Sequence, residues 1–229
     1  LFPLVRVLSK RFRVLVPDLP GYGTSWSMAG RYSFEGAQRL LEEALMKRGV
    51  RRAGVIGFST GAYRALLLAV ARGPIEVPVV LGLAGFACVP DELRPEYERA
   101  AERIRSGEAL GEELASTFFS PDYYDAHPEA VAEVERWPDA AGRGVLAGEL
   151  EALARSIDLR PQLERVPARV ILRVGELDVM APPERSAEIA ASVPGATIDV
   201  IPNAGHALMF EDPIGCIEAA RRAMSILRG

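Results

Sequence analysis

The sequence predicts an α/β fold, a mostly parallel sheet with helices on both faces, and three observations carry that expectation. Short apolar runs recur at Val14-Leu15-Val16, Val55-Ile56, Val79-Val80-Leu81-Gly82-Leu83, Val170-Ile171-Leu172 and Ile198-Asp199-Val200-Ile201. Runs of this kind, largely free of polar alternation, suit strands buried on both faces, as in parallel sheets. Segments with helical spacing of apolar residues separate them. The third observation is Gly57-Phe58-Ser59-Thr60-Gly61, set between the run at 53–56 and the helix-like 62–70. A G-x-S-x-G at a strand-to-helix junction forms a sharp turn that lifts the serine hydroxyl clear of the backbone. Both glycines are expected to be required, because a Cβ at either position would crowd the crossing of strand and helix.

The elements follow in order. Residues 14–16 read as the first strand. Residues 34–45 form an amphipathic helix with Ser33 as its N-cap. Lys47-Arg48-Gly49-Val50-Arg51-Arg52 closes that helix, where cations favour the C-terminal dipole. The strand at 55–56 leads into the Ser59 turn, and a third strand spans 79–83. Residues 86–163 then interrupt the rhythm with a Glu-, Arg- and Ala-rich stretch of helical periodicity. The acid strand at 170–174, the strand at 197–201 and a closing helix from about 214 to 227 complete the chain. No internal repeat or low-complexity segment occurs.

A serine hydroxyl is a poor nucleophile without a base, and the base needs an orienting acid. The chain has two histidines. His206, in Asn203-Ala204-Gly205-His206, follows a strand and sits where a base can reach a neighbouring strand end. His127, in Tyr124-Asp125-Ala126-His127-Pro128-Glu129, has the setting of a solvated or capping residue. Asp178 follows the strand at 170–174 and can accept the far imidazole N–H, fixing the tautomer. Glu176 is the alternative acid, but it precedes the turn and reads as a solvated strand-end carboxylate. Thr60, the residue after the nucleophile, offers its backbone N–H to an oxyanion.

Taken together, these motifs resemble those of the α/β-hydrolase superfamily over essentially the whole chain. Asp18-Leu19-Pro20-Gly21-Tyr22-Gly23-Thr24-Ser25 is similar to the family's D-x-x-G-x-G-x-S loop, and Gly175-x-x-Asp178-x-x-x-Pro182 and Gly205-His206 to its acid and histidine loops. The order Ser59, Asp178, His206 is that of the fold. Within the superfamily the chain looks like the small ester and lactone hydrolases, including the enol-lactone hydrolases, on residues 118–121 and 158–160. The resemblance implies an α/β-hydrolase core (1–85 and 164–229) with a small helical cap (86–163), and a Ser59 acyl-enzyme mechanism without metal or organic cofactor. Related carbon–carbon hydrolases and perhydrolases share this triad, whereas haloalkane dehalogenation uses an aspartate nucleophile and is disfavoured. A weakly catalytic ligand-binding module is the other class that the fold permits.

Pocket residues are expected at Phe58, Phe86, Val179, Leu208 and Met209, near the strand ends, and at Trp137 in the cap. The cap aromatics Phe118, Phe119, Tyr123, Tyr124 and Trp137 read equally as packing between cap and body. The chain also departs from its relatives. The strand expected between that at 14–16 and that leading to Ser59, with a loop giving the second oxyanion donor, has no counterpart in it. A preceding segment, or a peptide or partner chain, is expected to complete the sheet, and the oligomeric state stays open.

Composition agrees with a globular enzyme of 229 residues, 49% hydrophobic and 25% charged, long enough for one sizeable core. A net charge of −4 gives no basic footprint for nucleic acid or an anionic membrane. No apolar run reaches the roughly 18 residues of a membrane span. Cys88 and Cys216 lack zinc or C-x-x-C spacing and read as buried thiols in a reducing, cytoplasmic setting.

Overall fold

The computed structural model describes residues 2–28, 33–137 and 142–228. Four strands, β1 (Val55–Phe58), β2 (Val79–Leu83), β3 (Arg169–Gly175) and β4 (Thr197–Ile201), lie side by side in that order, every pairing parallel. The register sets Gly57 beside Gly82 and Leu172 beside Ile198. All five residues of β2 are buried, as a strand covered on both faces requires.

Successive side chains point to opposite faces of a sheet, and the two cores follow from that alternation. On one face Val80, Val170 and Leu172 pack with Leu66, Leu67 and Ile189, from helix α3 (Thr60–Val70) and the Pro183–Ser192 helix. On the other, Val79, Leu81, Leu83 and Ile171 meet Leu4 and Leu8 of α1 (Phe2–Leu8) and Ala219, Ala220, Ala223 and Met224 of the Pro213–Ser225 helix. The alanines let that last helix lie close against the strands. Helix α2 (Phe34–Lys47) begins as expected, with the Ser33 hydroxyl accepting from the Gly36 N–H at 3.0 Å. Its Phe34 ring lies 5.1 Å from Tyr63 of α3.

The first predicted strand does not form. Residues 13–19 belong to no strand, and Val16 is 54% exposed. Only Val14 of the apolar trio packs, against the α1 side of the sheet. A strand is a pairing and not a composition, and none of the described residues pairs with this segment as a strand. β1 is correspondingly an edge strand, with Val55 and Ile56 only partly buried.

Between β2 and β3 lie the helices Arg94–Arg105, Gly111–Phe118, Pro121–Ala126, Pro128–Glu135 and Arg143–Ala154; residues 138–141 of this insertion fall outside the described residues. Two small apolar clusters hold it together, one around Phe118, Phe119 and Val134, the other around Ala101, Ile104 and Ala147. The Leu159 N–H donates to the Ala87 carbonyl at 3.0 Å, closing the two ends of the insertion on each other, and the Ala207 N–H donates to the Phe118 carbonyl at 2.8 Å, fastening it to the body.

One buried cation ties the C-terminal end of the sheet. The Arg173 guanidinium, on β3, pairs with Asp199 of β4 and with Asp212, and Asp212 also caps the Pro213–Ser225 helix by accepting from the Gly215 N–H at 3.0 Å. Arg173→Met should lower stability by about 2–4 kcal/mol, because it leaves two carboxylates without their cation. Urea unfolding at neutral pH measures it.

The glycines flanking Ser59 are not equivalent, contrary to the expectation from sequence. A Cβ on Gly57 would stand 2.1 Å from the Gly61 carbonyl oxygen, whereas one on Gly61 would meet nothing within 4 Å. The tight crossing presses on the strand residue alone. Gly57→Ala should cost more than about 3 kcal/mol or prevent folding. Gly61→Ala should stay within about 1 kcal/mol of the parent or gain slightly, as alanine favours a helical position. Thermal midpoints of the two variants separate these outcomes.

Candidate active site

Ser59 occupies the turn between β1 and α3 with φ 52° and ψ −117°. That is a sparsely populated conformation for a residue with a Cβ, costing on the order of 1–3 kcal/mol. Backbone hydrogen bonds on both sides hold it. Its N–H donates to the Leu83 carbonyl at 2.8 Å, and its carbonyl accepts from Ala62 at 2.8 Å and Tyr63 at 3.2 Å. A serine before a helix commonly caps it with its hydroxyl. Here the side chain makes no cap bond, so the hydroxyl is not committed to holding the helix.

Asp178 follows β3 and is 3% exposed. One carboxylate oxygen accepts from the Met180 and Ala181 N–H groups at 2.9 and 2.8 Å; the other lies 2.8 Å from His206 Nδ1. An ionised carboxylate only accepts, so Nδ1 carries the proton and Nε2 keeps its lone pair. His206 Nε2 is buried and has no hydrogen-bond partner. The imidazole sits between Phe58, with ring centres 4.9 Å apart, and Phe118, at 5.0 Å. Phe58 is the neighbour of Ser59, so the base lies against the nucleophile turn. No hydrogen bond joins Ser59 Oγ to Nε2 here; such contacts are often long in free enzymes and tighten with substrate. Glu176, the alternative acid, is exposed and accepts from the Asn203 N–H. His127 is also exposed, stacked on Tyr123 in the insertion.

The histidine loop owes its position to close backbone approaches. A Cβ on Gly175 would lie 2.1 Å from the Gly205 carbonyl oxygen, and one on Gly205 would lie 2.5 Å from the Ser120 nitrogen. The end of β3, the histidine loop and the insertion therefore stack backbone on backbone. Glu211 locks that stack, accepting from the Gly205 N–H at 3.0 Å and from the Ser120 N–H at 3.2 Å. Sequence reasoning did not single out Glu211, because its second partner, Ser120, lies 91 residues away in the chain.

The expected pocket residues divide. Phe58 touches the imidazole, as above. Trp137 stands edge-on to Phe118 at 5.4 Å, one ring removed from His206. Val179 is 67% exposed beside Asp178. Phe86 instead stacks on Tyr63 at 5.5 Å within the main core, and Leu208 is wholly buried in the core on the opposite face, with Met209 packed against it. Being next in sequence to a strand end or to His206 did not bring Phe86 or Leu208 to an open pocket: both turn inward, where their apolar surface is better removed from water.

Neither thiol competes as a nucleophile. Burial pushes Cys216 up to about 11 and raises Cys88 as well, so both stay protonated near neutrality. Among the described residues no His, Cys, Asp and Glu group has an arrangement that could hold a metal ion, and no helix is long and apolar enough to cross a membrane.

Comparison with known proteins agrees with this fold. The solved structure of a hydrolase from Pseudomonas aeruginosa PA01 superimposes with a TM-score of 0.87 at 24% identity, covering 100% of this chain and 84% of that one. The enol-lactonase from Burkholderia xenovorans LB400 gives 0.87 at 23% identity, over 97% and 85%. These two likenesses concern the fold. Among curated sequences, "Putative carbamate hydrolase RutD" of Escherichia coli O127:H6 (strain E2348/69 / EPEC) is 26% identical over 216 residues, 92% of this chain and 80% of its relative. The sequence profile of the Alpha/beta hydrolase family matches residues 1–219, and the chain belongs to that family.

Proposed function

We propose that the protein is a serine hydrolase that cleaves a small carboxylic ester or lactone through an acyl-enzyme on Ser59. The observation that carries this reading is the buried Asp178–His206 pair at 2.8 Å, with Nε2 unpartnered beside a strained serine turn. In the first step Ser59 Oγ attacks the carbonyl carbon while Nε2 takes its proton. The imidazolium formed is stabilised by Asp178. The C–O bond to the leaving alcohol then breaks as Nε2 returns the proton to the alcohol oxygen. Water, deprotonated by the same nitrogen, attacks the acyl-enzyme, and the proton passes back to Ser59 as the acid departs.

The oxyanion of each tetrahedral intermediate lies at the start of α3. There the Thr60 N–H, in the first turn of the helix, has no intrahelical acceptor. A second donor is expected from a segment or partner chain lying beside the β1 edge, and without it the barrier rises by about 2.7–4 kcal/mol. The helical insertion acts as the cap: Phe118 covers His206, and Trp137 backs it. An ester, a lactone and a carbamate share the acyl carbonyl that this machinery requires, and the apolar rings around the imidazole favour uncharged acyl groups.

Treatment with a fluorophosphonate, followed by peptide mapping, tests the reading. One adduct on Ser59 is expected, together with p-nitrophenyl acetate turnover that Ser59→Ala removes. Absence of an adduct on folded protein would move the reading to a fold that binds small molecules without turning them over. Asp178→Asn should keep the fold but lower kcat by about 10⁴, as a neutral amide no longer selects the reactive tautomer.

A further inference from the structure

Glu149, in the Arg143–Ala154 helix of the insertion, reaches across to the nucleophile turn. One of its carboxylate oxygens accepts from Thr60 Oγ1 at 3.1 Å and from Arg64 Nη2 at 3.0 Å; the other accepts from the Tyr22 hydroxyl. The three donors come from two distant segments. Thr60 and Arg64 are four residues apart on α3 and so share a face of it, and Tyr22 lies in the loop after Asp18. The Arg64–Glu149 pair is nearly buried, with side chains 12% and 13% exposed. The Arg64 guanidinium also lies over the Phe34 ring at 4.3 Å, so the pair is packed as well as charged. The acyl-transfer scheme assigns no task to this carboxylate, although it bonds the side chain of the residue next to Ser59.

We infer that Glu149 is a positioning residue. It fastens the helical insertion to the nucleophile turn and, through the Thr60 hydroxyl, fixes the side chain of the residue whose N–H faces the oxyanion. The inference rests on the acyl-transfer reading above. Lifting the insertion removes the carboxylate from three donors at once and breaks a nearly buried ion pair, which is costly. The same movement frees the Thr60 side chain, while the carbonyl of the Ser59–Thr60 peptide stays bonded to the Ala62 and Tyr63 N–H groups. One side chain thus sets the seat of the insertion and the packing beside the oxyanion donor, and that surround is in place only while the insertion is down. A donor aligned before reaction needs no reorganisation when charge develops.

Four proteins test this: the parent chain, Glu149→Ala, Thr60→Val and the double variant. Amide exchange by mass spectrometry should accelerate on the order of tenfold over residues 143–154 and 19–25 in Glu149→Ala, with the sheet unaffected. Turnover of p-nitrophenyl acetate should show kcat lower on the order of tenfold, with KM changed by less than about threefold, as loss of an interaction made mainly in the transition state requires. Thr60→Val should reproduce the kcat effect, and the double variant should be no slower than Glu149→Ala alone, because coupled sites are not additive. Thr60→Ser, which keeps the hydroxyl, should retain the slow exchange. If Glu149→Ala does not fold, Glu149→Gln, which keeps one acceptor oxygen, takes its place with effects of the same sign. Unchanged exchange over 143–154, or kcat losses that multiply in the double variant, overturns the inference. Should the parent neither turn over ester nor take the fluorophosphonate, the acyl-transfer reading falls and the oxyanion role with it. Exchange in Glu149→Ala then decides the fastening alone.

Discussion

The geometry of the site depends on the close crossing of β1 with the start of α3, a backbone contact so tight that a single methyl on Gly57 would collide with the Gly61 carbonyl. Helix and strand can approach this far only if the residue between them turns sharply, and Ser59 takes the unfavourable dihedrals. The strain is held by the Leu83 carbonyl, which anchors the turn to β2, and by the two helical N–H groups that bond the Ser59 carbonyl. Because β2 is buried on both faces, its position admits little adjustment, and neither does that of Ser59. The same economy operates at Gly175 and Gly205, where two backbones meet without side chains between them. The candidate triad is therefore arranged by main chain, with its side chains as the only groups that project.

Polar anchoring supplies what main-chain contacts cannot. Glu211 bonds the histidine loop to the insertion, while Asp178 is oriented by two backbone N–H groups before it meets the imidazole. The rings of Phe58 and Phe118 pack against the imidazole, whose free nitrogen is buried. Base, orienting acid and covering rings thus come from four separate segments, each fastened to the next by at least one hydrogen bond or ring contact.

How much of this was legible in the sequence depended on range. The candidate residues Ser59, Asp178 and His206 stand out in the sequence because each lies just after an apolar run, with glycines that mark where backbones must touch. Strands β1 to β4 were legible for the same reason. The run at 14–16 has the composition of a strand but no strand pairing among the described residues, so propensity alone misled there. Phe86 and Leu208 were misplaced because sequence adjacency says where a backbone goes but not which way a side chain turns. Glu149 and Glu211 carry no local signal at all. Their significance arises from residues brought near by the fold, and surface-like helical glutamates are the commonest of residues. The unequal glycines at 57 and 61 likewise needed coordinates, since the pentapeptide presents them as symmetric.

The insertion between β2 and β3 also bears on how the chain folds. Val79 faces Arg169 across the central pairing of the sheet, so that pairing cannot form until the whole helical insertion has been made. Contacts between residues so distant in the chain form slowly, as a long loop must close before any of them stabilises it. The nucleophile turn lies before that closure, and the acid and the base lie after it. During synthesis the first part of the chain, with β1, α3 and β2, emerges with an apolar β2 whose edge has no β3 to pair with. Competence for chemistry arrives only with the last third of the chain, and the interval before it is when this protein most needs protection from self-association.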